Sequence, residues 1–202
     1  MQSIYQWFGE QQDLSSKIAL ECGALDFTDT RVLAKHFHTV LSFEANPTAR
    51  VPSDLPENVI VELQALSTFT GRISFFRDEN PLGNSGASSL LPSSPFFLKD
   101  YIKKETELSV PCTTLRSSLD KHKLSHADFF WLDMEGYELE FLRGTDLTAV
   151  EYIYTEVNFQ EFRKGGCLYE PLKAFLEEKG FREEYKWVRD NTWNGDVLFK
   201  KE

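Results

Sequence analysis

Five short apolar runs in this chain of 202 residues each end on polar or acidic side chains. Lys17–Glu21 leads into Glu21-Cys22-Gly23-Ala24, and Val40–Glu44 into Glu44-Ala45-Asn46. Val59–Leu63 closes on Gln64-Ala65, Asp128–Leu132 on Asp133-Met134-Glu135-Gly136, and Val150–Val157 on Glu156-Val157-Asn158. Carboxylates can accept hydroxyl groups, take up a proton from a reacting alcohol, or hold a cation. Crowded together they raise one another's pKa, a cost that a cationic ligand would relieve.

The elements that must position these groups follow from the pattern. Short continuous apolar runs separated by helical or turn segments indicate buried parallel strands in an α/β sheet. Helices are expected over Thr28–Lys35, Thr114–Lys121, Tyr137–Arg143 and Leu168–Lys179, the last stopped by Gly180. Arg72–Phe76 and Ser109–Thr113 read as further strands, and Phe181–Val188 with Asp196–Lys200 as a closing antiparallel pair. The implied fold is a mostly parallel doubly wound sheet with a C-terminal antiparallel hairpin. In such a sheet ligands bind outside the carboxyl ends of the strands, where the acidic residues fall. Gly23 in the first turn and Glu44 21 residues later follow the logic of nucleotide binding: close backbone approach, then a carboxylate on ribose. Only one glycine stands in Gly23-Ala-Leu-Asp-Phe-Thr28, which disfavours a pyrophosphate-bearing dinucleotide. S-adenosylmethionine, with a sulfonium, an ammonium and a ribose diol but no phosphate, fits the same residues.

Composition narrows the class. The length suits one domain, residues 1–202, with residues 1–16 as an N-terminal extension and 78–108 as a long loop and candidate lid. A net charge of −10 argues against nucleic acid or an anionic membrane as partner. Three separated cysteines, Cys22, Cys112 and Cys167, indicate neither a disulfide framework nor a zinc site, and suit a cytoplasmic setting. No apolar run approaches the roughly 20 residues of a membrane span, and Met1–Glu10 lacks the layout of a secretory signal.

Asp128-Phe-Phe-Trp-Leu-Asp-Met-Glu-Gly-Tyr-Glu-Leu-Glu-Phe-Leu-Arg-Gly144 resembles the FkbM-type methyltransferases, as do Val110-Pro-Cys-Thr-Thr-Leu-Arg-Ser-Ser-Leu119 and Tyr154-Thr-Glu-Val-Asn158. The resemblance runs from about Ile18 to Phe199. It implies a class I methyltransferase (Rossmann-like) fold, S-adenosylmethionine as cofactor, and methyl transfer to a hydroxyl of a small molecule, sugar or glycan. It also implies that Glu21, Gly23 and Ala24 border the methionine end of the cofactor. Glu44 would accept from the ribose hydroxyls with Ala45 and Asn46 beside it, Gln64 and Ala65 would lie near the adenine, Asp133 and Met134 under the sulfonium, and Ser88 would approach the cofactor. In the first motif Glu21 stands where the family usually has aspartate, and Asp26-Phe27 near its second glycine.

For proton transfer the candidates are Asp133, Glu135 and Glu156. Glu135 has an alternative role as a cap of the Tyr137 helix. Asp133, Glu156 and Asn158 offer three oxygen donors suited to a divalent cation, although no residue is assigned as a metal ligand. His36, His38, His122 and His126 are expected to be solvated, and Trp193 to pack in the hairpin turn. The alternative to an enzyme is a binding module that keeps the fold without catalysis. A nicotinamide oxidoreductase is disfavoured by the missing glycines.

Overall fold

A computed structural model describes residues 3–11, 13–79, 86–100, 104–188 and 193–202. Five parallel strands, β1 (Ile18–Cys22), β2 (Thr39–Phe43), β3 (Val59–Glu62), β7 (Phe129–Leu132) and β8 (Tyr152–Asn158), form the centre of the main sheet. The hairpin β9 (Phe181–Val188) and β10 (Asn194–Lys201) completes it, with β10 antiparallel to β8. The order is β3-β2-β1-β7-β8-β10-β9. Connectivity reverses direction between β1 and β7, so the crevice at their carboxyl ends is the topological switch point.

Side chains alternate across each strand and divide the core in two. Leu20, Leu41, Phe130 and Phe199 pack toward α4 (Leu115–His122), α5 (Glu138–Arg143) and α6 (Tyr169–Glu178). Ala19, Val40, Phe129 and Leu198 face α1 (Ile4–Glu10) and α2 (Thr28–His36). A second sheet, β4-β6-β5, is inserted between β3 and β7 from β4 (Ala65–Leu66), β5 (Gly71–Asp78) and β6 (Glu105–Thr113).

Two features differ from the expectation. Residues 1–16 include a helix whose start is a capping box, Ser3 accepting from the Gln6 N–H while the Gln6 side chain accepts from the Ser3 N–H. Ile4, Trp7 and Phe8 are buried on one helical face against Phe37, Phe129 and Trp131. The span 78–108 contains α3 (Pro95–Asp100) and the opening residues of β6, Glu105–Leu108, which pair with Phe75–Asp78 of β5; residues 80–85 and 101–103 lie outside the described residues. Thr114 caps α4 by accepting from the Ser117 N–H at 3.1 Å. Among the described residues no helix is long and apolar enough to cross a membrane.

Trp7 is 3% exposed. Truncation to alanine is expected to destabilise the chain by about 3–5 kcal/mol, measured by denaturant unfolding; a loss under about 1 kcal/mol would show that α1 is an appendage rather than part of the core.

Candidate active site

The ends of β1 and β7 meet at closer than side-chain distance. Gly23 has φ +92°, and a Cβ there would lie 2.0 Å from the Asp133 carbonyl oxygen. Asp133 donates its N–H to the Cys22 carbonyl, and Gly23 and Ala24 donate theirs to the Phe43 carbonyl. Three strand ends are thereby tied into one floor.

Above that floor lies a cleft of about 850 Å3, counted with the solvent in its mouth. Gly23 and Ala24, then Glu44, Ala45 and Asn46, line it from β1 and β2; Gln64 and Ala65 come from the end of β3, Ser88 from the segment after β5, and Asp133 and Met134 from β7. Those are ten of the eleven positions expected to contact a cofactor. Glu21 is the exception. It is fully buried on the α2 side, where its Oε2 accepts from Thr30 Oγ1 at 2.5 Å and Ser42 Oγ at 2.6 Å. The longer side chain reaches into the core, so Glu21 does not border the cleft. Asp26, which stands near the place of the family's second glycine, and Asp29, which no local pattern marks, do border it.

Glu44 is 7% exposed; its Oε2 accepts from the Leu25 N–H at 2.7 Å and its Oε1 from the Asn46 N–H at 2.6 Å. Each oxygen keeps a lone pair. Burial raises its pKa against the lowering effect of those backbone donors.

A second, strongly polar cavity adjoins the first, lined by Tyr5, Trp131, Tyr154 and the carboxylates of Asp29, Asp133, Glu156 and Asp196. Asp29 and Asp133 border both. Tyr5 Oη donates to Asp29 Oδ1 at 2.6 Å, which places α1 at this rim. Glu156 accepts from Asn194 Nδ2 at 3.0 Å. Asp133, Glu135 and Glu156 can each bring a carboxylate oxygen within 4.8 Å of the others. Desolvation, then the charges of Glu156 and Asp133, hold the Glu135 carboxyl well above the ordinary range.

Glu135 has φ +52° and lines neither cavity. Nor does it cap α5. The N-cap of α5, Tyr137, makes no side-chain cap bond; the loop before it is held by Glu138, whose buried Oε1 accepts from the Met134 N–H at 2.9 Å and the Gly136 N–H at 3.2 Å. Arg163, 1% exposed, backs the same loop: a Cβ on Gly136 would touch its side chain at 3.4 Å, and it pairs with Glu105 at 2.8 Å. Glu138 sat in plain view within Glu135-Gly-Tyr-Glu138; Arg163 had no local signal, because its partners come from β6 and the segment after β5. The histidines are not all solvated. His122 Nε2 lies 2.5 Å from Glu62 Oε1, and His36 stacks on Phe8.

A sequence model of the methyltransferase FkbM domain matches residues 21–183. The chain belongs to the FkbM methyltransferase family. Among solved structures, the magnesium protoporphyrin IX methyltransferase of Synechocystis PCC 6803, determined with S-adenosylmethionine bound, aligns with 98% of this chain and 76% of its own at a TM-score of 0.57 and 8% identity. A SAM-dependent methyltransferase of Aquifex aeolicus aligns with 97% and 86% at a TM-score of 0.45 and 14% identity. The first comparison supports the fold, which is that of class I methyltransferases. No curated protein matches the sequence. In this FkbM methyltransferase the switch-point cleft therefore sits where a class I fold carries its ligands.

Glu21 yields a pH test. Burial pushes its carboxyl from the ordinary 4.5 up to about 7 despite two hydroxyl donors. Between those values the unfolded chain has released the proton and the folded chain has not, so stability falls as pH rises through the window and levels above it. Glu21→Gln is expected to remove up to about 3 kcal/mol of that fall. Stability curves for wild type and variant that run parallel from pH 4.5 to 7 would contradict the assignment.

Proposed function

We propose that this FkbM methyltransferase uses S-adenosylmethionine to methylate a hydroxyl of a sugar or glycan. The observation that carries the reading is that the switch-point cleft and the acid-lined cavity meet at Asp133. Glu44, with backbone donors on one side, accepts from the ribose diol on the other. Ala65, Leu66 and Phe75 offer an apolar slot for the base, and Asp29 and Asp133 face the charged end. In the adjoining cavity the carboxylates of Asp29, Asp133, Glu156 and Asp196 accept the hydroxyls of a sugar.

When bound, S-adenosylmethionine supplies an electrophilic methyl group on sulfur. The protein would align the acceptor oxygen with that methyl, and Asp133, the carboxylate in both cavities that follows β7, would take the hydroxyl proton as the methyl's bond to sulfur is exchanged for one to oxygen and the thioether leaves. Glu135 lines neither cavity, and burial with the charges of Glu156 and Asp133 raises its pKa, so it is poorly placed as the base; Glu156 fixes the acceptor from β8.

A second reading of the same acids is a divalent cation. Asp133, Glu135 and Glu156 would hold it, and Asn158, on the same strand face as Glu156, keeps a buried Oδ1 with no hydrogen-bond partner among the described residues. Such a set of hard oxygens fits the group and would relieve the repulsion among the carboxylates. Magnesium or calcium should then raise the melting temperature of wild type and not of Glu135→Gln; equal curves with and without metal remove this reading.

Calorimetric titration with S-adenosylhomocysteine tests the main one. Wild type is expected to bind, and Glu44→Ala to bind about 10-fold or more weakly through loss of charged hydrogen bonds to ribose. With labelled cofactor and a glycan panel, Asp133→Asn should retain less than about a hundredth of the wild-type rate. Absence of binding by the wild type sinks the enzyme reading; acceptors that are never carbohydrates sink the substrate class.

A further inference from the structure

Gln64 stands at the base end of the cleft, and an amide there is ambiguous by itself. Turned one way it presents an NH2 group to the ligand, turned the other a carbonyl, with nearly the same shape. The first suits a 6-oxo purine and the second the 6-amino group of adenine. Something must break the tie.

We infer that Glu62 is a positioning residue that sets base selectivity, by holding the Gln64 amide nitrogen so that the carbonyl is left to accept from the 6-amino group of adenine. This rests on the cofactor reading above. Gln64 Nε2 donates to Glu62 Oε2 at 3.0 Å. The two residues are two apart at the end of β3, and Glu62 is 5% exposed. An ionised carboxylate only accepts, so the opposite amide orientation would set oxygen against oxygen in a buried place.

The carboxylate is kept ionised by its other partners. Lys121 Nζ donates to both oxygens at 2.7 and 2.9 Å, His122 Nε2 lies at 2.5 Å, and Ser118 Oγ at 3.5 Å, all from α4. These donors and charges lower the Glu62 pKa against the raising effect of burial. Glu62 is thus a relay: cations on the far side of β3 fix its charge, and its charge fixes which atom Gln64 shows to the ligand. The Glu62–Lys121–His122 group alone would read as a staple between sheet and helix. The bond to a cleft-lining amide is what gives it a second consequence.

The test compares two ligands on one protein: S-adenosylhomocysteine and its 6-oxo analogue carrying hypoxanthine, each titrated by calorimetry. Wild type is expected to prefer the adenine ligand by about 10-fold or more, the cost of facing two acceptors in a partly buried site. Gln64→Ala should bring the ratio near one. Glu62→Gln keeps the shape but can accept from or donate to Gln64, and should cut the ratio several-fold. A general loss of stability changes both affinities together and leaves the ratio in place. A wild-type ratio near one, or ratios unchanged in Gln64→Ala and Glu62→Gln, overturns the inference while leaving the cofactor reading intact. Binding of neither ligand by the wild type overturns both. If Glu62→Gln does not fold, the Gln64→Ala ratio still decides whether Gln64 discriminates the bases at all.

Discussion

The backbone of Gly23 passes the Asp133 carbonyl with no room for a side chain, and the rest of the site depends on that closeness. A Cβ at this position would meet the oxygen at 2.0 Å in a conformation that other residues rarely adopt. Because the two strand ends touch, Asp133 emerges at the edge of the cleft rather than beneath it. Its N–H is spent on the Cys22 carbonyl, and its side chain borders two cavities at once. Moving β7 away from β1 would open a gap under any bound ligand and separate the proposed base from the methyl group.

Fixing so many carboxylates at one sheet edge poses an electrostatic problem, and each is handled by different chemistry. Glu44 and Glu138 use backbone N–H groups. Glu21 uses two hydroxyls and is still pushed up to about 7. Glu62 uses a lysine and a histidine and is lowered. Glu135 has the Arg163 charge nearby, but burial and two acidic neighbours outweigh it. The division has a functional reading: acids with cationic or backbone partners hold shape, while those crowded near Asp133 remain the ones whose charge a ligand can change.

Much of this was legible in the sequence because strand ends are local. Continuous apolar runs marked β1, β2, β3, β7 and β8, and the next residues marked the cleft. Where the reading failed, the missing information was tertiary. Glu105–Leu108 is polar enough to pass for loop, yet it pairs with Phe75–Asp78 through a register that no local pattern carries. The direction of the Glu21 side chain depends on Thr30 and Ser42, nine and 21 residues away. The α1 helix is a different case. Its Ser3-x-x-Gln6 box and its Ile4, Trp7, Phe8 spacing were visible, and treating residues 1–16 as an extension overlooked them.

That helix bears on function as well as stability. The Trp7 and Phe8 rings anchor α1 over Phe129 of β7, and the same helix then presents Tyr5 at the rim of the acidic cavity. Tyr5 is 49% exposed, its ring stacks on Trp131, and its hydroxyl holds Asp29, one of the two acids shared by both cavities. An element seated by apolar burial on one side therefore supplies an aromatic wall and orients a carboxylate on the other. On the proposed reading, α1 and the terminal hairpin contribute Tyr5 and Asp196 to the cavity assigned to the acceptor, while the sheet's own strand ends line the cleft assigned to the cofactor.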